Sequence, residues 1–257
     1  MHRIFVTFAA LAAFFSGMAS ANPPYRQSVL LGRSSADHLA ISDTSQTGLD
    51  LSGNFTLEAW VKPTTSISTG QEYVIVSKWS SSVSDKSYLF LYYHNGQRPE
   101  IRLATAATAT SDDWGAGIAY TLPTNLWSHV AVVFTASTGT AEFFVNASSI
   151  GTASGFGHTV NNGGGDFQIG SRQGLGSVAF DGFIDEVRVW NGTRTRQQLW
   201  DNFGASLTSP QTGLVGAWSF TCSYSDASGN GNNLTPMNYP LFSTDTPFGC
   251  GQVCSCS

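Results

Sequence analysis

Charge is scarce in this sequence: Asp, Glu, Lys and Arg together make up only 11% of its 257 residues. The 12 Lys and Arg are scattered among 17 Asp and Glu, for a formal net charge of −5. No basic stripe forms, so neither a phosphate backbone nor an anionic membrane surface finds a docking site. Cysteine is absent until Cys222, and helix-forming runs are nearly absent throughout. No apolar run reaches the ~20 residues that would span a bilayer with ease, so membrane insertion is not expected. The nucleophile elbow Gly-x-Ser-x-Gly is also missing, which leaves serine-hydrolase chemistry of that type unsupported.

The apolar run that does exist is short and lies at the start. Met1-His2-Arg3 is a positive leader, Ile4 to Phe15 is almost wholly apolar, and Ala19-Ser20-Ala21 supplies a small-x-small cleavage site. Residues 1–21 therefore read as a removed signal peptide and the mature chain as secreted and extracellular. In an exported chain the even set Cys222, Cys250, Cys254 and Cys256 reads as disulfides, with three connectivities open. Cys222 has partners only in the tail, and closing that loop contributes about 2–4 kcal/mol. The spacing C-x3-C-x-C would suit zinc, but no histidine lies near it. Asn54, Asn146, Asn191 and Asn233 each open an Asn-x-Ser/Thr tripeptide, glycosylation acceptors if the host is a eukaryote. Nothing in the sequence sets an oligomeric state.

What fills the chain is short β-type runs divided by Gly-, Asn- and Ser-rich turns such as "HNGQ", "STGT", "NNGGG" and "SGNGNN". The pattern predicts strands over 28–32, 38–42, 55–62, 72–79, 87–94, 100–105, 118–121, 128–136, 141–147, 167–170, 182–190 and 214–220. Phe55, Leu57, Ala59 and Val61 alternate onto one face. Residues 128–134 are apolar on both faces, which marks a central, doubly covered strand. One helix is expected, Thr195 to Phe203, with Leu199 and Phe203 as its apolar stripe. These runs describe an all-β, two-sheet antiparallel sandwich or jelly roll over residues 22–245, followed by a Cys-rich tail, 246–257. There is no second domain and no internal repeat.

Five stretches, in order, resemble the laminin-G-like jelly roll of the concanavalin A-like lectin/glucanase superfamily. They are "LDLSGNFTLEAWVKP" (Leu49 to Pro63), "YVIVSKW" (Tyr73 to Trp79), "LWSHVAVVF" (Leu126 to Phe134), "FDGFIDEVRVWNGTRT" (Phe180 to Thr195) and "TGLVGAWSF…DASGNGNNLT" (Thr212 to Thr235). The resemblance implies two antiparallel sheets. It does not imply one activity, because that superfamily holds lectins, adhesion modules and glycanases.

Asp181, Asp185 and Glu186 lie within one expected strand, where a glycosidase could keep its acid and base. Such a pair stands about 5–5.5 Å apart if retaining and about 6.5–9.5 Å if inverting. Four residues along a strand put Asp181 and Asp185 about 13 Å apart. Asp185 and Glu186, being adjacent, point to opposite faces. The glucanase pattern Glu-x-Asp-x-x-Glu is absent. So are the Arg-Ser-Glu-Leu-Arg, Gln-Ile-His and Tyr-x-Lys motifs of jelly-roll alginate lyases. No catalytic residue is assigned. Asp185 shares a face with Val187 and Val189 on this pattern, so it needs an ion or N–H donors to offset burial. The resemblance implies a structural Ca2+ near this strand, held by Asp185; the alternative is hydrogen bonding to a turn. Glu186 and Arg188 are expected to pair on the other face. In "DASGNGN", Asp226 and Asn230 are further candidate calcium ligands, against a plain reading as turn chemistry.

For a ligand, loop aromatics with polar neighbours are the candidates: Trp114 with Asp112 and Asp113, and Tyr93 with His94. Trp60, Trp127, Trp190 and Trp218 read as packing residues. Together these features describe a secreted, non-catalytic recognition module that binds a glycan or an extracellular protein. One alternative is a structural or adhesive surface protein crosslinked through its Cys-rich tail. The other is a polysaccharide-cleaving enzyme with an unfamiliar site.

Overall fold

Alternation along each apolar run lays one face of every strand against a shared core, and the runs assemble into two sheets. The structure is a computed structural model and describes residues 26–110, 115–175 and 178–248. The strands are β1 (Ser28–Leu31), β2 (His38–Ile41), β3 (Phe55–Pro63), β4 (Glu72–Lys78), β5 (Tyr88–His94), β6 (Pro99–Thr105), β7 (Ala116–Ala119) and β8 (Ser128–Thr135). They continue with β9 (Thr140–Val145), β10 (Ser148–Ser154), β11 (Phe167–Ile169), β12 (Gly182–Trp190), β13 (Leu214–Trp218), β14 (Thr235–Met237) and β15 (Leu241–Ser243); helix α1 is Arg196–Asn202. Sheet A runs β10-β9-β8-β3-β12-β1-β15, with β13 also paired to β12; sheet B runs β14-β2-β11-β4-β5-β6-β7. All pairings are antiparallel.

The core lies between the sheets. Phe55, Leu57, Ala59 and Val61 of β3 face Phe90, Tyr92, Ile101 and Leu103 of sheet B across it. Strand β8 is covered on both sides, as its sequence predicts. Val130, Val132 and Phe134 enter this core, while Ala131 and Val133 pack under Leu199 and Phe203 of the α1 segment. The helix starts where a capping box sets it: Thr195 Oγ1 accepts from Gln198 N, and Gln198 Oε1 accepts from Thr195 N. Strands β10, β14 and β15 are additions to the sequence reading. They are polar or exposed edge strands, so burial leaves no period-two pattern in them.

One end of the sandwich is tied by a buried cation. Lys78, at the end of β4, is fully buried. Its Nζ sits 2.6 Å from Asp43 Oδ1 and 2.9 Å from Asp50 Oδ1, and it donates to the Gly163 carbonyl. The ammonium thus joins the β2–β3 and β10–β11 loops to sheet B. Among the described residues no helix is long and apolar enough to cross a membrane. Lys78→Met should leave two carboxylates facing each other and cost about 2–4 kcal/mol, allowing for their partial exposure. Urea unfolding measures it, and a loss under about 0.5 kcal/mol would show that solvent already carries those charges.

Candidate functional site

The face of sheet B turned away from the core carries a row of polar side chains set by strand register. Glu72 of β4 lies opposite Tyr93 of β5, which lies opposite Glu100 of β6. In the next row, Val74, Leu91 and Arg102 align the same way. The rows share the outer face, because Phe90 and Tyr92 already point into the core. Val74, Trp79, Leu89, Leu91, Ala104 and Val178 form an apolar floor, and Tyr93 packs partly exposed against it.

The polar groups around Tyr93 are held in place by charged hydrogen bonds. Arg172 donates Nε to Glu72 Oε2 at 3.1 Å and Nη2 to Oε1 at 3.2 Å. Arg102 pairs with Glu100 at 2.5 Å and lies 5.6 Å from the Tyr93 ring centroid. Asn95 Nδ2 donates to Glu100 Oε2 at 2.9 Å. Arg102 Nη2 also donates to the Gly115 carbonyl, so the stretch after residues 111–114 is anchored beside Tyr93. Trp114, Asp112 and Asp113 themselves lie outside the described residues. His94 follows Tyr93 on the strand and points the other way, with Gly96 N donating to its Nδ1. Tyr93 and His94 therefore do not share one site.

The acidic residues of β12 sit on the far side of the sandwich, beneath α1 and the chain that follows it. Register corrects the expected face of Asp185. The pairing shifts between Asp185, opposite Trp60, and Arg188, opposite Glu58, so two residues of β12 face one of β3. Glu186 takes φ +49° at this bulge, a conformation rare for a residue with a Cβ. The extra residue turns Asp185 away from Val187 and Val189, which remain in the core. Asp185 Oδ1 accepts from Glu186 N at 2.8 Å. Glu186 pairs with Arg188 at 3.2 Å, as expected, and accepts from Ser206 Oγ. Glu58, at no exposure, accepts from Trp190 Nε1 at 2.7 Å and shares a 3.0 Å hydrogen bond with His129 Nε2. Asp181 is elsewhere: its Oδ2 accepts from Thr65 Oγ1, and regular pairing between residues 182 and 185 keeps it away from Asp185.

These carboxyls differ in acidity for stated reasons. Burial alone would raise Glu58, but Arg188 and the His129 hydrogen bond outweigh it and hold it below its ordinary value. Burial, then the adjacent Glu186 charge, pushes Asp185 well above the ordinary range. Burial also raises Glu186, with Arg188 opposing.

Residues 33–199 match the laminin G-type model of the concanavalin A-like lectin/glucanases superfamily. The chain belongs to that superfamily. A candidate carbohydrate-binding protein from Bacteroides ovatus is similar over 85% of this chain, at 20% identity and TM-score 0.66; the match spans 60% of that protein's length. The native heptameric SAP-like pentraxin of Limulus polyphemus matches over 91% of this chain and all of its own (100%), at 17% identity and TM-score 0.62. The sialidase carbohydrate-binding module of Ruminococcus gnavus, bound to α2,3-sialyllactose, covers 68% of this chain and 96% of its own length, at 12% identity and TM-score 0.52. These likenesses show a shared fold. No curated protein matches the sequence.

Membership in this superfamily raises the question of calcium, and the described donors around Asp185 and Asp226 do not fit it. Asp226 Oδ1 accepts from Ala217 N and Ser228 N, while Oδ2 accepts from Asn232 N and Ser228 Oγ. Both oxygens are committed, and Asn230 turns its Nδ2 toward the Leu214 carbonyl. Calcium needs six to eight oxygen ligands. Asp185 faces an N–H and two guanidinium charges, those of Arg188 and Arg26. Among the described residues no group of three or more His, Cys, Asp or Glu side chains is placed to hold a metal ion.

The remaining expected sites are placed as follows. Asn54, Asn146, Asn191 and Asn233 are all exposed. Cys222 Sγ donates to Gln27 Oε1 at 2.9 Å; Cys250, Cys254 and Cys256 lie outside the described residues. Trp60, Trp190 and Trp218 are buried packing residues, and Trp127 is half-buried with Nε1 on Asp245. Trp200 was not anticipated: it is 58% exposed. A signal existed, since Trp200 follows Leu199 and so falls off the helix's apolar stripe.

A raised Asp185 means the fold favours its protonated form. Its penalty is absent at acidic pH and develops as pH rises through the folded-state value. Asp185→Asn should raise Tm by a few degrees near pH 8 and give no such gain near pH 4. Thermal scans at both values check this, and a lower Tm near pH 8 would show that the ionised carboxylate is needed.

Proposed function

We propose that this protein is a secreted, non-catalytic recognition module that binds glycans on the outer face of sheet B, around Tyr93. The observation that carries the reading is the row Glu72–Tyr93–Glu100 with Arg102 and Asn95, fixed by register over an apolar floor. A half-exposed ring supplies a surface for the C–H face of a sugar. The partly exposed Glu72 carboxylate, Asn95 amide and Arg102 guanidinium beside it supply acceptors and donors for hydroxyls. Relatives by fold include a module bound to sialyllactose, which supports the substrate class without naming the sugar. The leader sequence supports export. Burial of Glu58 and Glu186 in ion pairs, and of Asp185 against the Glu186 N–H, supports the absence of glycosidase chemistry, because a general acid must reach the leaving oxygen. No calcium is assigned, since the donors do not fit it.

The test is binding of the purified mature chain to immobilised 3′-sialyllactose, arabinotriose, and xylan, arabinan and β-glucan oligosaccharides. Binding to one class is expected, weakened about tenfold or more by Tyr93→Ala. Failure to bind any of them, or release of reducing ends from them, overturns the reading.

A further inference from the structure

Helix α1 presents an aromatic that its fold does not need. Its stripe is Leu199, fully buried against Ala131, Val133, Phe144 and Ala147, with Phe203 packed beside it. Helical geometry puts Trp200 about 100° round from Leu199, so docking the stripe leaves the indole outside.

The exposed indole is nevertheless held rigidly. One of its faces stacks on Phe203, with ring centroids 5.8 Å apart and planes 10° from parallel. Phe203 in turn packs on Trp60 at 4.7 Å and on His129 at 5.5 Å. The column continues from Trp60 to Phe248 at 5.6 Å. Trp200 is thus the outer member of an aromatic stack rooted in sheet A, and its orientation is set before any ligand arrives. Rigid aromatic area of this kind contributes contact at low entropic cost.

Trp200, Arg196 and Gln197 line a concavity of about 450 Å³. Arg196 is anchored through Nε to the Ala147 carbonyl at 3.2 Å, a bond that leaves its terminal N–H groups as further donors. Gln197 Nε2 donates to Asp201 Oδ1 at 2.7 Å, leaving its Oε1 as an acceptor. A flat apolar plane with a fixed donor and a fixed acceptor at its edge matches a sugar ring, which has a C–H face and a rim of hydroxyls. A flexible apolar peptide would gain little from the two polar groups.

We propose that Trp200, Arg196 and Gln197 form a second saccharide subsite, on the face of the sandwich opposite Tyr93. It rests on the glycan-binding reading and deepens it. Tyr93 lies on the outer face of sheet B and α1 on the outer face of sheet A. One domain would therefore hold two glycan segments back to back and crosslink separate soluble polymer chains, which short oligosaccharides cannot show.

The test compares wild type, Trp200→Ala, Tyr93→Ala and the double variant, each checked for unchanged Tm. Isothermal titration uses the oligosaccharides named above, and turbidity uses soluble xylan, arabinan and β-glucan together with sialylated mucin. Iodide quenching of Trp fluorescence reports on the exposed indole. Two sites per chain are expected in wild type and one in each single variant. Wild type alone should produce turbidity. Saccharide should shield wild type and Tyr93→Ala from iodide but leave the quenching of Trp200→Ala unchanged. Stoichiometry and turbidity unaffected by Trp200→Ala, with loss on Tyr93→Ala, overturn the second subsite and leave the first. No binding by any form to any probe overturns both.

Discussion

The Arg188 guanidinium is the interaction on which the sheet A side of this molecule depends. It is buried to 1% exposure and makes contacts in three directions. Nη1 donates to the Asn202 carbonyl at 2.9 Å and Nη2 to the Ala205 carbonyl, satisfying acceptors at and beyond the end of α1. Nη2 also pairs with Glu186, and Nη1 stands 3.8 Å from Glu58. A helix of seven residues cannot hold itself, since isolated helices shorter than ~12–15 residues are marginal in water. Its position comes from Leu199 and Phe203 above the sheet and from Arg188 at its end.

The backbone of β12 is shaped around the same cluster. Glu186 and Arg188 would share a face even in a regular strand, with Asp185 on the other. The bulge lets Ile184 and Val187 both enter the core and leaves Asp185 outside with Glu186 and Arg188, at the cost of a left-handed φ in a residue with a Cβ. Asp185 is carried with it into a desolvated place beside another carboxylate. That explains why adjacent acids end on one face without resembling a catalytic pair: they are ordered around a cation and roofed by protein.

Much of the architecture was legible because burial writes period-two patterns. Phe55, Leu57, Ala59 and Val61 mark β3, and the doubly apolar 128–134 marks β8 as central. The exposed strand β10 carries Ser148, Ser149, Thr152 and Ser154, which any loop could contain, and β14 holds Pro236. The bulge was not legible, since no glycine marks the positive φ at Glu186, and an unbroken alternation put Asp185 on the wrong face. For the candidate site, Tyr93 was found as a loop-edge aromatic. Its neighbours Glu72, Glu100 and Arg102 meet it through the register of β4, β5 and β6, while Arg172 comes from the connection after β11. Arg172 reaches Glu72 across 100 residues of chain.

A division of labour follows. Charged groups buried on sheet A hold the covering segment, while on the outer face of sheet B Glu72 and Arg102 stay partly accessible around an aromatic ring, with Glu100 and Arg172 buried behind them. The most direct test of this account is amide hydrogen exchange over residues 196–207 in Arg188→Met, with β8 as the internal reference. Breaking a buried ion pair costs about 3–5 kcal/mol, so exchange in that segment should quicken about a hundredfold or more while β8 stays protected. Protection at wild-type levels across 196–207 would contradict the claim that Arg188 holds the helix to the sheet.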